Sequence, residues 1–270
     1  MSTAITALIP AATLGRFLRA HMGGTKLLVV AVSGSHAFGF PSAGSPLELK
    51  GIHVEPTEHL VGLSSPPKAF NWVGEFEAHR IDYSSEELGT ALRRLLKGDG
   101  SILERVLAPR QMLRGEDLRR LQKVTRGVIC RRFFAHYRSF SKGVLREYES
   151  HEKRTARHLL GAYRSALTGV HLLRTGKLLL DLGELAGLYG FSQIDELVQL
   201  HRADEGALLE DNNQWINRLV RLHSLLERAL EEPSLPVAPD NPGGVEDYLL
   251  DMRRRFFDAA TVQQLPKKAR

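Results

Sequence analysis

The chain of 270 residues has a single cysteine, Cys130. No disulfide can form within it, and no zinc site can be assembled from several of its own thiolates. Cys130 lies in an apolar and basic stretch and reads as a buried structural thiol, not a nucleophile. His151, His158 and His201 have no metal-ligand spacing with one another. Long apolar runs are also missing. The longest, about Leu27 to Val32, is far too short to span a bilayer, so no membrane partner is expected. The first residues, MSTAITALIP, lack the basic and apolar regions of a signal peptide, which makes the cytoplasm the expected location. Neither Gly-x-x-x-x-Gly-Lys-[Ser/Thr] nor Gly-x-Ser-x-Gly occurs, which argues against a P-loop enzyme and a nucleophile-elbow hydrolase. Internal repeats are absent as well.

What is present is an excess of positive charge, 37 Lys and Arg against 31 Asp and Glu. A net charge of +6 fits phosphate-bearing partners, nucleotides or nucleic acid; it also fits an Arg-rich soluble protein with no such partner. The runs Arg131–Arg132 and Arg253–Arg255 read first as solvated helix faces. A nucleic-acid contact through these basic helices stays open, with Phe133, Phe134, Phe256 and Phe257 as its few aromatic neighbours.

The pattern changes along the chain. Residues 11–22 read as an amphipathic helix, and residues 26–32 as a buried strand. A second strand is expected over 47–54 and a third over 76–83. Ser84 and Ser85 then precede Glu86 and Glu87, as in a capped helix start. Helices are expected over 85–96, 101–107, 115–147, 151–174, 193–202, 205–231 and 245–259, with a Pro-rich strap over 233–244. This is an α+β protein: a small mixed sheet with an N-terminal helix in residues 1–115, then a mostly helical domain over 116–270.

The strand over 26–32 runs into Ser33, Gly34 and Ser35. A Gly-Ser pair there lets the backbone approach a phosphate while the hydroxyl donates to it. A helix starting at Ser35 would add free N–H groups. An ordinary turn explains the same residues. The downstream residues narrow the choice. Gly34, Ser35, Ala37, Phe38, Gly39, Ser45, Leu49, Lys50, Gly51 and Ile52 match the pattern Gly-Ser-x-Ala-[Tyr/Phe]-Gly, then Ser-Asp-x-Asp-Leu-[Arg/Lys]-Gly-[Ile/Val]. That pattern resembles a family of bacterial predicted nucleotidyltransferases within the DNA polymerase β superfamily. LGTALRRLLKGDGSILERVLAP (88–109), HYRSFSKG (136–143), AYRSALTGVHLLRTGKL (162–178) and SLPVAP (234–239) extend the resemblance over nearly the whole chain.

The resemblance implies phosphoryl transfer assisted by Mg²⁺ or Mn²⁺ held on carboxylates. It assigns the metal and the catalysis to Glu48, at the family's second aspartate, and to Asp82, by its place on the third strand. It assigns the nucleotide to Gly34, Ser35, Lys50, Arg164 and His171. The last two lie seven residues apart and so share a helix face; a buried polar brace is the other reading of that pair. Lys50 could neutralise a triphosphate or pair with Glu48. His136 and Tyr137 could line the cleft or lie on a surface helix. The departure is Pro46, which stands where the family has its first metal aspartate and cannot bind a metal. Two functions are therefore implied. One is transfer of a nucleotidyl group from an NTP to a hydroxyl on a protein, a nucleic acid or a small molecule. The other is a catalytically impaired relative that binds a nucleotide or a partner.

Overall fold

Alternating apolar and polar residues build a sheet from the first half of the chain. The computed structural model describes residues 8–22, 25–61, 63, 69–150, 154–206, 208–209, 213–231 and 234–257. Helix α1 (Ala11–Met22) precedes β1 (Lys26–Ser33), α2 (Gly34–Phe38), β2 (Leu47–Val54), α3 (Thr57–Leu60), β3 (Ala69–Phe76) and β4 (His79–Glu87). The strand order is β1-β2-β4-β3. β2 and β4 run parallel and the other neighbours antiparallel, giving the expected mixed sheet. The outer edge of β1 is covered: Val32 N donates to Arg110 O at 3.0 Å and Met112 N to Val30 O at 2.7 Å.

Side chains alternate between the two sheet faces. On one face Leu47, Leu49, Ile81 and Tyr83 pack against Leu14, Phe17 and Leu18 of α1. Phe17 is fully buried and meets Trp72, Phe76 and Tyr83 edge-on, with ring centres 4.9, 5.5 and 5.7 Å away. Such pairs contribute about 0.5–1.5 kcal/mol each beyond the area they bury. On the other face Val29, Ala31, Ile52 and Val54 lie under α4 (Leu88–Leu96) and α5 (Gly100–Leu107). The rest of that face is polar.

The remaining helices are α6 (Glu116–Arg126), α7 (Phe133–Ser150), α8 (Ala156–Thr175), α9 (Leu182–Tyr189), α10 (Ile194–Ala203), α11 (Asn213–Glu231) and α12 (Pro242–Arg255). Helix α8 is their axis, with Leu159, Ala162, Tyr163, Ala166 and Val170 all fully buried among residues of α9, α10 and α11. The expected division at residues 115 and 116 falls at the start of α6. One apolar cluster runs across it, joining Leu88, Leu92 and Ile102 to Phe133, Leu172, Val245 and Met252. Among the described residues, no helix is long and apolar enough to cross a membrane.

Several expected boundaries move. The strand expected over 76–83 contains a hairpin turn at Glu77 and Ala78, both at positive φ (46° and 63°). Two-residue turns of this kind usually carry Asn or Gly, and neither is here. A tertiary ion pair holds the turn, with Arg16 Nε and Nη2 donating to the two Glu77 carboxylate oxygens at 2.7 and 2.5 Å. β3 itself escaped the pattern because Asn71 and Gly74 dilute it.

The helix start expected at Ser84 and Ser85 is strand instead, because Ser85 pairs with Gly51 of β2. The cap passes to Glu87, whose carboxylate accepts from Gly89 N at 2.8 Å and Thr90 N at 3.2 Å. The helix expected over 115–147 is broken at 127–132, where the Pro-rich strap docks. There Arg131 N donates to Pro236 O at 2.9 Å and Asn241 N to Gly127 O at 3.2 Å. Cys130 is buried in that break, as expected. Helix α9 is an addition; Gly183 and Gly187 lower its propensity, but Asp181 caps it by accepting from Glu184 N at 3.0 Å. Parts of three expected helices (151–153, 207 with 210–212, and 258–259), His151 and the basic tail lie outside the described residues.

Candidate functional site

The polar end of the sheet is ordered by strand register. Ser33 of β1 lies opposite Glu48 of β2, Glu48 lies beside Asp82 of β4, and Asp82 faces Val73 of β3. The next row is Ala31, Lys50, Ser84 and Asn71. The sheet therefore brings together Glu48, Lys50 and Asp82. β1 ends in a turn at Gly34, with φ of +62°, and α2 starts there. The positive φ favours glycine here, and a Cβ on Gly34 would overlap the Glu48 carboxyl and push that side chain aside. Ser35 follows within α2, its carbonyl accepting from Phe40 N at 3.1 Å.

Lys50 pairs with Asp82 and not with Glu48, its Nζ lying 3.5 Å from Asp82 Oδ1. Burial pushes the Glu48 carboxyl above its ordinary value. Lys50 opposes that shift, the Asp82 charge adds to it, and Arg157 and His36 oppose it. A two-metal centre needs several converging carboxylates. Among the described residues, no group of three His, Cys, Asp or Glu side chains is placed to hold a metal ion. Pro46 adds no ligand, and an ammonium stands beside Asp82. The residues present do not fit a two-metal site.

Above β1 and β2 the sheet forms the floor of a cavity of about 240 Å³, lined by Ser33, Glu48 and Lys50 and roofed by the helices. The roof includes Glu104 and Arg105 of α5, Phe140 of α7 and Arg164 of α8. Arg164 Nη1 donates to Glu104 Oε1 at 2.6 Å, and its guanidinium lies over the Phe38 ring, 4.0 Å from the centre. Phe140 is on a second side at 5.9 Å. Arg164 Nε is buried with no hydrogen-bond partner in the protein. Arg105 reaches the sheet itself, its Nη1 donating to Gly51 O at 2.9 Å and its Nη2 lying 3.3 Å from Glu86 Oε1.

His171 does not join this cavity. Its Nδ1 is 3.1 Å from the Tyr189 hydroxyl, and burial lowers its pKa. Seven residues return to the same helix face but climb about 10 Å along the axis, so Arg164 and His171 serve different levels. His136 and Tyr137 are not lining residues. His136 Nδ1 lies 3.4 Å from Asp99 Oδ1, and Tyr137 is fully buried. Glu104, Arg105 and Phe140 were not singled out from sequence. All three fall in segments that carry the family resemblance, 88–109 and 136–143, but the resemblance gave them no role.

A solved structure of a nucleotidyltransferase-like protein from Exiguobacterium sibiricum aligns with 91% of this chain and 80% of its own, at 13% identity and a TM-score of 0.34. The uncharacterized protein MJ0002 of Methanocaldococcus jannaschii is 23% identical over 150 residues, 56% of this chain. The match spans 61% of that relative's length. The model of the RNA repair pathway DNA polymerase beta family (RlaP) matches residues 11–249, nearly the whole described fold, and the chain belongs to that family.

Proposed function

We propose that this protein is a nucleotide-binding member of the family that has lost metal-dependent transfer. The observation that carries this reading is at the acidic row: Lys50 Nζ stands 3.5 Å from Asp82 Oδ1, while Pro46 replaces an aspartate of the family pattern. An ammonium at Asp82 and a proline at the family's first aspartate position leave Glu48 as the acid with no cation bonded to it at that row. The nucleotide would lie in the cavity above Ser33, Glu48 and Lys50, with Arg164 and the Phe38 and Phe140 rings beside it. The family's name points to RNA repair, and RNA in the cytoplasm is the macromolecule we propose as its partner, met through the Arg-rich helices.

The test is incubation with each α-³²P-labelled NTP in Mg²⁺ or Mn²⁺, with and without an RNA oligonucleotide, beside a filter-binding measurement. Retention of nucleotide with no label transferred to protein or RNA is the expected result. A second reading, active transfer, is favoured by the direct pairing of Glu48 and Asp82 on adjacent parallel strands. Metal-dependent transfer that is abolished by Glu48→Ala and by Asp82→Ala would establish it and overturn the first.

A further inference from the structure

We propose that the open end of the sheet is a metal-independent site for a polyphosphate chain, with Lys50, Arg80 and Arg157 supplying the positive charge a divalent ion would bring. The inference rests on the nucleotide-binding reading above and names the part of the nucleotide that is gripped.

Three placements support it. Lys50 Nζ lies 3.5 Å from Asp82 Oδ1, beside the row that pairs Glu48 with Asp82. The parallel ladder ends at Leu47 and Ile81, so the residues just beyond it are Pro46 and Arg80. Where the family pattern has a carboxylate, this chain has a proline with a guanidinium beside it. One arm of Arg80 is anchored, Nη1 donating to Gly44 O at 3.1 Å, and the side chain is exposed. Arg157, in the first turn of α8, is also exposed, and its charge acts on both Glu48 and His201.

The two carboxylates of the row would repel a phosphate if left alone. Asp82 is met by Lys50, and the Glu48 carboxyl packs against the main chain of the Gly34 turn. The Ser33 side chain stands in the same row as a further hydrogen-bonding group. Arginine forks suit phosphate oxygens, and lysine serves as a point charge.

Calorimetric titration of the full-length chain with ATP and with inorganic tripolyphosphate, each in EDTA and in Mg²⁺, tests this. Both ligands are expected to bind in EDTA, with affinities within about twofold of those in Mg²⁺. Lys50→Ala and Arg157→Ala should each weaken both ligands by about tenfold, and Lys50→Arg should restore most of the loss. Pro46→Asp should make binding sensitive to metal.

Binding of both ligands in Mg²⁺ that disappears in EDTA would overturn the proposal while leaving nucleotide binding intact. ATP binding without tripolyphosphate binding would also overturn it, since the nucleoside would then be the part held. Tripolyphosphate affinity unchanged by the Lys50 and Arg157 substitutions would place the anion elsewhere and overturn it as well. No binding of either ligand in either condition would remove both this proposal and the reading beneath it.

Discussion

On the face of the sheet beneath α1, Leu47, Leu49, Ile81 and Tyr83 are 6% exposed or less. On the opposite face, Glu48, Lys50 and Asp82 are only partly buried, and each is next to one of those residues in sequence. Both sets ride on the same two strands, so the backbone that fixes one fixes the other. A covered apolar face holds the strands in register, and the register sets the charged row on the open face. Stability belongs to the first face and chemistry to the second. The largest effect should therefore come from damage to the covered face. Phe17→Ala removes the ring at its centre and should cost about 3–5 kcal/mol, measured by urea unfolding at unchanged m-value. A loss below about 1 kcal/mol would break the comparison, because α1 would then cover the face without holding it.

Gly34 joins the two faces, and the next effect down is there. Alanine at φ of +62° costs about 1–2 kcal/mol from backbone conformation alone, and its Cβ would displace Glu48. Gly34→Ala is therefore expected to lose about 2 kcal/mol or more. In a Glu48→Ala background only the backbone part should remain. A double-mutant cycle by thermal melting reads the difference; additivity would mean that the approach of Glu48 to the turn carries no energy.

The two faces should also answer pH with opposite signs. His53, further along the covered face, is 2% exposed with its Nδ1 2.8 Å from Ser85 Oγ. Burial lowers its pKa from 6.5, Glu55, Glu87 and Glu86 oppose the shift, and Arg253 adds to it. The unfolded chain then takes up a proton before the folded one does. Stability from His53 is present above pH 6.5 and is lost as pH falls toward its folded value. Glu48 behaves in reverse. Its folded pKa is raised above 4.5, so its contribution is most favourable below that value and is lost as pH rises through the folded pKa. Urea midpoints from pH 4 to 8, approximately the range in which both titrate, should show His53→Gln flattening the acid side. Glu48→Gln should raise stability near neutrality. Parallel profiles for wild type and both variants would refute the assignment.

Much of this contrast was legible in the sequence. The apolar run of β1 and the alternation of β2 are local patterns, and the Gly-Ser turn with Glu48 and Lys50 two residues apart put the charged row on one face. What escaped depended on distance along the chain. Glu104 meets Arg164 across 60 positions, and no periodicity links them. The β3–β4 turn is held by Arg16, 61 residues before Glu77, so its own residues carry no turn signal. Arg164 and His171 show the limit of a spacing argument: angle around the helix agreed, but height along it did not.

The smallest effect should come from the open face itself. Lys50 and Asp82 keep 25% and 35% of their side chains in water, and their closest approach is 3.5 Å. Solvent screens such a pair, and ordering two side chains offsets part of the attraction, so it is worth about 0.5 kcal/mol or less to the fold. Lys50→Ala and Asp82→Asn should accordingly melt within a degree or two of wild type, roughly what that energy gives for a chain of this size. The covered face, by contrast, loses several kcal/mol with one ring. The comparison is sharpened if Lys50→Ala leaves melting unchanged yet weakens anion binding, since a residue retained for the fold would show the reverse. Should Lys50→Ala unfold the protein as Phe17→Ala is expected to, the charged row would be part of the framework, and the division of labour between the two faces would fail.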